Sequence, residues 1–293
     1  MRRVLFIIFF TVLYFSTFSQ ERSDDLPPYG LVLSGGGALG FAHIGVLMAL
    51  EEAGIEVDMV SGASMGALIG VLYAYGYSSQ EMITIIKKEK LHRISKIFNV
   101  RLFNKRGISS QKKIKNILDR VLPVDDFESL AHFFSLSMTN FTTLETEYAF
   151  SGDRLKEKVL ASAAIPSVYE LVVIDGQIYA DGGNMNNLPI EPIKGKCKTI
   201  LIIDVCAASQ KTEPYGKIKI GNRAGLAMMK QMNSGRIAQA DHYIGLETLE
   251  QYNMFDFKKY KTIIQIGYEG MKQYLEAHPE LEAKYQRLPA VVN

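Results

Sequence analysis

The stretch Ser61-Gly62-Ala63-Ser64-Met65-Gly66 decides the fold, because it places the pattern Gly-x-Ser-x-Gly between two apolar segments. Residues 57–60 are short enough for a buried strand, and residues 67–75 are typical of a buried helix. A serine on a sharp turn from strand to helix is the context of a nucleophile elbow, where small neighbours permit strained dihedral angles. The helix N-terminus also favours a developing anion. The alternative is a tight turn whose serine only caps the helix.

A glycine-rich turn lies one helix upstream. Residues 30–33 are predicted to form a strand, residues 41–53 a helix, and glycines 35, 37 and 40 between them match Gly-x-Gly-x-x-Gly. Dinucleotide binding would need an acidic residue just after the second strand, where the Gly-x-Ser-x-Gly turn stands instead. In a parallel sheet both turns emerge at the same edge. We therefore expect backbone N–H groups of the glycine turn to face an oxyanion formed beside Ser64.

The composition indicates a globular protein: 293 residues, 47% hydrophobic, with a net charge of +2 that predicts no nucleic-acid partner. Residues 1–19 have the basic start, apolar run and small terminal residues of a secretory signal peptide; an uncleaved membrane anchor is the alternative. Residues 20–29 are predicted to be a linker and residues 30–293 a single catalytic domain. We therefore expect export to the periplasm, the cell envelope or the medium.

The two cysteines, Cys197 and Cys206, flank a predicted core strand over residues 198–205. An extended chain rises ~3.3 Å per residue, which separates them far beyond disulfide reach. They therefore predict neither a disulfide nor a metal site.

Residues 87–122 form a predicted cap region that is strongly basic. Residues 87–120 contain 12 Lys or Arg and two acidic residues. A helix over residues 111–121 is expected to turn Ile114, Ile117, Leu118 and Val121 inwards. Two interpretations remain open: a solvated basic face over a small core, or a cap that meets an anionic lipid surface.

Other patterns predict further elements. Ser78 and Glu81 form a capping box. Strands are expected at 133–141 and 147–150, and a hairpin over 169–180 with the two-residue turn Asp175-Gly176. Helices are expected at 151–165, at 222–240 with core methionines, at 258–266 and at 270–277.

Ser64 needs a general base, and Asp181 is the preferred candidate. It ends a predicted strand and precedes Gly182 and Gly183, which leaves its carboxylate free to face a neighbour. Burial beside the serine would raise its pKa. Asp204, His242 and His278 are the alternatives, whereas His43 is expected to be structural.

The ordered motifs resemble the patatin-like phospholipase family, specifically its bacterial, secreted, stand-alone members. They are Gly35-Gly36-Gly37-x-x-Gly40, Gly62-x-Ser64-x-Gly66, Ala161-x-Ala163-Ala164-Ile165-Pro166 and Asp181-Gly182-Gly183. The resemblance implies an α/β fold, three-layer α/β/α with a mainly parallel central sheet. It also implies Ser64 as nucleophile, Asp181 as base, and an oxyanion hole made by Gly36, Gly37 and Met65. Neither a metal nor a cofactor is implied.

The expected activity is that of a serine lipid acyl hydrolase, which cleaves carboxylic esters through a Ser-Asp dyad and an acyl-enzyme. A general carboxylesterase or thioesterase, or a catalytically idle lipid-binding protein, is the alternative. The expected partner is a lipid or a membrane-surface substrate. Leu39 stands where family members often carry a cation, which puts a phospholipid head group in doubt. The sequence does not predict the oligomeric state.

Overall fold

The computed structural model describes residues 26–91, 111–207 and 217–281. The predicted signal peptide, most of the linker and the middle of the basic region therefore lie outside the described residues.

Eight strands and seven helices make up the described residues. The strands are β1 Tyr29–Leu33, β2 Met59–Gly62, β3 Phe133–Asn140, β4 Glu145–Ala149, β5 Val172–Ile174, β6 Gln177–Asp181, β7 Thr199–Asp204 and β8 His242–Gly245. The helices are α1 Ala42–Glu52, α2 Met65–Tyr75, α3 Ser79–Lys88, α4 Lys112–Val121, α5 Leu155–Ser162, α6 Lys217–Ile237 and α7 Tyr260–Ala277. Short 3-10 helices follow β1 at Gly37–Phe41 and β6 at Gly182–Asn184.

All eight strands form one sheet. Strands β3, β2, β1, β7 and β8 run parallel in that order. Strands β4 and β6 pair with β3 in the antiparallel sense, and β5 pairs with β6. The predicted mainly parallel central sheet is confirmed, with an antiparallel extension at one side.

Strands β2 and β6 lie on the same edge of β3 and meet end to end. Leu136 pairs with Gly62 of β2 and with Ala149 of β4, so those two strands flank β3 on opposite sides. Further along, Met138 pairs with β4 and also with Asp181, the last residue of β6. Strand β6 therefore occupies the side that β2 has just left, and the two carboxyl ends point at each other.

Both faces of the sheet are covered. Leu31, Leu33 and Leu201 belong to the main core beneath α1, α2 and α7. Val32 and Ile202, which alternate with them, pack on the opposite face against residues 188–197 and the end of α6. The three-layer expectation holds, although an irregular segment supplies much of the second layer.

The prediction of two helices near the C-terminus is wrong, because α7 runs unbroken through Gly267 and Gly270. Gly267 lies where α7 crosses close to α1. A Cβ atom at this position would lie 2.0 Å from the carbonyl oxygen of Ala42. Gly45 in α1 is equally close to Ile264 of α7, 1.9 Å from its carbonyl oxygen. These glycines bring two helix backbones together, and they do not end a helix.

The expectation that the methionines of α6 lie in the core is also wrong. Met228 is 68% exposed and Met232 is 41% exposed. The side of α6 that faces the protein instead carries half-buried Met229, buried Asn233 and half-buried Ile237. Their spacing of four residues forms a single narrow stripe, which leaves the other methionines outside.

Two other local predictions had different outcomes. Helix α5 is shorter than the expected 151–165, because Gly152 and Arg154 adopt positive φ values of 76° and 59° before it begins. The hairpin turn is confirmed: Asp175 and Gly176 both have positive φ, at 50° and 78°, as a type I′ turn requires.

Candidate active site

Ser64 occupies a strained turn between β2 and α2. Its φ of 52° and ψ of −120° lie outside the regions that residues other than glycine favour. The turn is tight: a Cβ atom on Gly66 would lie 2.2 Å from the carbonyl oxygen of Leu33. The strand, turn and helix predicted for a nucleophile elbow are all present.

Asp181 faces Ser64, as predicted. The Ser64 hydroxyl donates to Oδ2 of Asp181 at 2.5 Å, and both side chains are only 5% exposed. The other carboxylate oxygen accepts the backbone N–H of Gly183 at 2.8 Å. Burial raises the pKa of Asp181 from 3.8 to about 6, although both hydrogen bonds oppose the shift. A carboxylate with this pKa is a stronger base than an ordinary aspartate and is still ionised at neutral pH.

The alanine-rich segment after α5 holds both residues in place. Oγ of Ser162 accepts the backbone N–H of Ser64 at 3.1 Å. The carbonyl of Ala164 accepts the backbone N–H of Asp181 at 2.9 Å. Sequence reasoning found the motif but not this role of Ser162. A polar residue inside an alanine-rich run was the available signal.

The glycine turn lies beside the serine. Gly37 has a φ of 57°, and a Cβ atom on it would lie 2.4 Å from the carbonyl oxygen of Met254. Gly37 begins a 3-10 helix and Met65 begins α2, so their N–H groups have no acceptor within their own helices. This arrangement suits the predicted oxyanion hole of Gly36, Gly37 and Met65, whose role stays a prediction.

Hydrogen bonds from buried polar side chains hold the glycine turn in place. Nε2 of His43 lies 2.8 Å from the carbonyl oxygen of Ser34, and Ser34 Oγ accepts the backbone N–H of Val205 at 3.0 Å. Burial lowers the pKa of His43 to about 4, so the ring is neutral and donates to Ser34. His43 therefore has the structural position that was expected.

Asp204, an alternative base, has its own partners. Its two oxygens accept the N–H of Cys206 at 2.9 Å and the hydroxyl of Tyr243 at 3.0 Å. Burial raises its pKa. Its hydrogen bonds do not include Ser64, so the structure favours Asp181 as the base.

The alternative bases His242 and His278 lie away from Ser64, near the amino end of the edge strand β8. His242 begins β8, whereas Ser64 follows the carboxyl end of β2. Potential ligand atoms of His242, His278 and Glu280 lie within 4.8 Å of one another, which is close enough to hold a metal ion. Nδ1 of His278 lies 3.0 Å from Glu280 Oε1, so an ion pair explains the group equally well.

A deep apolar cavity opens at Ser64, and its space together with the solvent at its opening is about 950 Å³. Its wall along α2 consists of Met65, Leu68, Ile69 and Leu72, which share one helix face. Helices α3 and α4 close the opposite side. Their contributing side chains are Met82, Ile85, Ile86, Ile114, Ile117, Leu118 and Val121. Such a cavity suits a hydrocarbon chain better than a polar ligand.

Helix α4, which lies in the basic region, covers the cavity and has two different faces. All four residues predicted to point inwards line the cavity, so that prediction is confirmed. On the outer face Lys115 pairs with Asp119 at 2.8 Å, and Arg120 pairs with Glu89 beyond α3. The structure therefore places α4 over the cavity, while contact with lipid stays a prediction.

Leu39 does not line this cavity. It lies in the 3-10 helix after the glycine turn, is 7% exposed and packs in the main core. The expectation that this position meets a substrate head group has no support in the geometry.

Comparison with known proteins defines the class. Residues 31–194 match the patatin-like phospholipase family, so the chain belongs to this family. The lysophospholipase NTE1 of Eremothecium gossypii is 26% identical over 94% of this chain and 20% of that protein. The lysophospholipase nte1 of Aspergillus niger is 28% identical over 84% of this chain and 18% of that protein. This chain thus matches about a fifth of the length of these curated relatives.

A solved structure supports the fold. VipD from Legionella pneumophila superposes with a TM-score of 0.51 at 17% identity, over 87% of this chain and 67% of that chain. At this identity the likeness concerns the fold alone.

Proposed function

We propose that the protein is a lipid acyl hydrolase in which Ser64 is the nucleophile and Asp181 the general base. The observation that carries this proposal is the 2.5 Å hydrogen bond between them at the mouth of an apolar cavity. Ser64 Oγ bonds to the ester carbonyl carbon while its proton passes to Asp181. The bond to the alcohol oxygen then breaks, and Asp181 returns the proton to the leaving alcohol. Water completes the cycle by hydrolysing the acyl-enzyme.

The substrate we propose is an ester with one long acyl chain, of the lysophospholipid type. Along α2, the seven steps from Met65 to Leu72 span ~10 Å at ~1.5 Å per residue. An extended chain advances ~1.3 Å per carbon, so this wall alone covers about eight carbons. The cavity is a single apolar space, which suits one chain. The names of the two lysophospholipase relatives agree with this choice.

Labelling with a fluorophosphonate tests the nucleophile, and an acyl-chain series tests the substrate class. We expect the probe to modify Ser64, located by peptide mass spectrometry. If Ser64 stays unlabelled in folded protein, the proposal that Ser64 is a catalytic nucleophile is wrong. We expect kcat/KM for p-nitrophenyl esters to rise from four to about ten carbons. A maximum at the shortest chain would favour the general carboxylesterase or thioesterase instead.

We also propose that the protein is exported and acts at a lipid surface, as a secreted bacterial member of its family. The signal-peptide pattern of residues 1–19 supports export. Within the described residues, none of the helices combines the length and apolar character needed to cross a bilayer. N-terminal sequencing of the protein recovered from a secreting host tests the cleavage. The expected first residue is Gln20, and an intact Met1 would favour an uncleaved anchor.

A further inference from the structure

Two histidines and a glutamate meet where the end of α7 lies beside the edge strand β8. Potential ligand atoms of His242, His278 and Glu280 all lie within 4.8 Å of one another. The two histidines are half-buried and Glu280 is exposed, so an ion in solvent can reach the group. The group joins two separate elements, since His242 begins β8 and His278 follows the last residue of α7.

The fold itself holds the backbone at all three positions. His242 belongs to the parallel ladder between β7 and β8, and His278 caps the C-terminal end of α7. Leu281, which follows Glu280 directly, is 2% exposed, and its carbonyl accepts the hydroxyl of Tyr29 in β1. Because these backbones are already fixed, little conformational entropy would be lost when an ion binds.

Tyr274, on the last turn of α7, contacts both histidines. Its ring stacks on that of His278 with centroids 4.2 Å apart. Its hydroxyl lies 2.9 Å from Nδ1 of His242. Histidines that bind a metal usually make such a hydrogen bond with their other ring nitrogen, which fixes the orientation of the ring. Tyr274 is therefore placed as a positioning residue for the two histidines.

The separations within the group suit a small metal ion. Nδ1 of His278 lies 3.0 Å from Oε1 of Glu280. In a tetrahedral zinc site with bonds of ~2.0–2.2 Å, neighbouring ligand atoms lie ~3.3–3.5 Å apart. The longest separation in the group therefore has to shorten by ~1.5 Å at most, which is within reach of side-chain rotation. An ion pair would also bring His278 and Glu280 together, but it needs only two of the three side chains.

We propose that His242, His278 and Glu280 bind Zn²⁺, and that the ion fastens the end of α7 to β8. Two imidazole nitrogens and one carboxylate oxygen are a donor set that zinc accepts, and water would complete the fourth position. The group lies away from Ser64, so this role concerns stability and does not depend on the proposed ester hydrolysis.

A zinc titration tests the site. The protein, without an affinity tag and freed of metal with EDTA, is titrated with Zn²⁺ against a chromogenic chelator at pH 8, because zinc binds neutral imidazole. We expect one tightly bound Zn²⁺ per chain. Even a lost outer partner costs ~10–100-fold in metal affinity, so Tyr274→Phe should weaken binding ~10-fold, and His242→Ala or Glu280→Gln ~100-fold. His132→Ala is the matched control, because His132 stacks on Tyr73 outside the group, and it should keep the wild-type affinity.

Thermal unfolding tests the role of the ion. Free Zn²⁺ at about a hundred times its Kd should raise the melting temperature of the wild type by ~5 °C and leave that of His242→Ala unchanged. Circular dichroism confirms that each variant is folded. The site is refuted if the wild type binds Zn²⁺ no more tightly than folded His242→Ala and Glu280→Gln, which would leave only the ion pair of His278 and Glu280. Tight binding without a rise in melting temperature would refute the fastening of α7.

Discussion

At the scale of single residues, the proposed chemistry depends on a short hydrogen bond between the strained turn at Ser64 and the turn at Asp181. Ser64 lies outside the favoured backbone regions, and Asp181 carries a carboxylate away from solvent. Neither condition helps the chain to fold, since backbone strain and a buried charge both cost stability. The strained turn directs the Ser64 hydroxyl towards Asp181, and the burial of the carboxylate makes it a stronger base.

The first prediction concerns the dyad. Ser64→Ala should abolish ester hydrolysis, and Asp181→Asn should reduce kcat by ~10²–10⁴-fold, the usual contribution of a general base. Because the two side chains act as one unit, the double variant should be little worse than Ser64→Ala alone. Steady-state kinetics measure this, with circular dichroism to confirm folding. Near-normal hydrolysis by folded Asp181→Asn would mean that another residue is the base.

The second prediction concerns pH. Asp181 must be ionised to accept a proton, so kcat/KM should fall as the pH drops through about 6, with the slope of one proton. Stability should change in the opposite direction. The raised pKa means that the folded state binds the proton more tightly than the unfolded state, which favours folding at low pH. This contribution is lost as the pH rises through about 6.

Asp181→Asn removes this titration and provides the check. The variant should melt at a higher temperature than the wild type at pH 8, with a smaller difference at pH 4. A shift of the pKa from 3.8 to about 6 corresponds to roughly 3 kcal/mol before the lost hydrogen bonds are counted. A difference in melting temperature that does not change with pH would contradict the buried, ionised carboxylate.

At the scale of secondary-structure elements, one face of α2 forms a wall of the apolar cavity and, in the proposed function, limits the length of the acyl chain. Ser64 stands at the start of this helix and Leu72 lies two turns further along the cavity. The N-terminus of α2 follows Ser64 directly, so in the proposed reaction the same helix would bind the acyl chain and direct its N–H groups at the ester carbonyl.

The third prediction is that Leu72→Trp shortens the preferred acyl chain. The larger ring fills the distal cavity, so kcat/KM for a twelve-carbon ester should fall ~10-fold or more while a four-carbon ester is little affected. Leu72→Met conserves the volume and is the control. An equal loss for both chain lengths would show that the cavity does not bind the acyl group.

Elements were predictable where a local pattern determines them. The capping box at Ser78, the Asp175-Gly176 hairpin turn and the inner face of α4 all depend on near neighbours in the chain, and all are confirmed. The unbroken α7 and the outward methionines of α6 depend on which other element packs against them. Periodicity alone does not contain that information.

The residues of the candidate site also differ in whether a local sequence pattern predicts them. Ser64 and Asp181 were predictable because each stands at the end of a predicted strand among glycines, Gly62 and Gly66 around the serine and Gly182 and Gly183 after the aspartate. Ser162 was not, since it acts on a residue more than 90 positions away in the chain. Contacts between residues so far apart in the chain depend on how the strands assemble into the sheet.

At the scale of the whole molecule, the proposed contact with a lipid surface depends on the charges that α4 carries. The side chains of Lys112 and Lys113 lie on α4, beside the cavity, whereas Lys115 and Arg120 are already paired with carboxylates. Two cations on the lid would favour anionic membranes, and this attraction should weaken as salt screens it.

The fourth prediction tests this surface. Lys112→Glu combined with Lys113→Glu should weaken sedimentation with phosphatidylglycerol vesicles relative to phosphatidylcholine vesicles. The same change of charge on α7, at exposed Lys261 and Lys272, is the control and should have a smaller effect. Equal binding of all three proteins, at low and high salt, would leave α4 as a solvated lid.

The end-to-end meeting of β2 and β6 also bears on when activity can arise. Their catalytic residues are separated by 117 positions in the chain, and only β3, which lies between them in sequence, brings the two strand ends together. Contacts this distant form late in folding, because the closure entropy of a long loop must be overcome first. A nascent or partly folded chain therefore holds its nucleophile without its base. We therefore expect the proposed hydrolase to stay inert inside the cell that makes it until the whole sheet has formed.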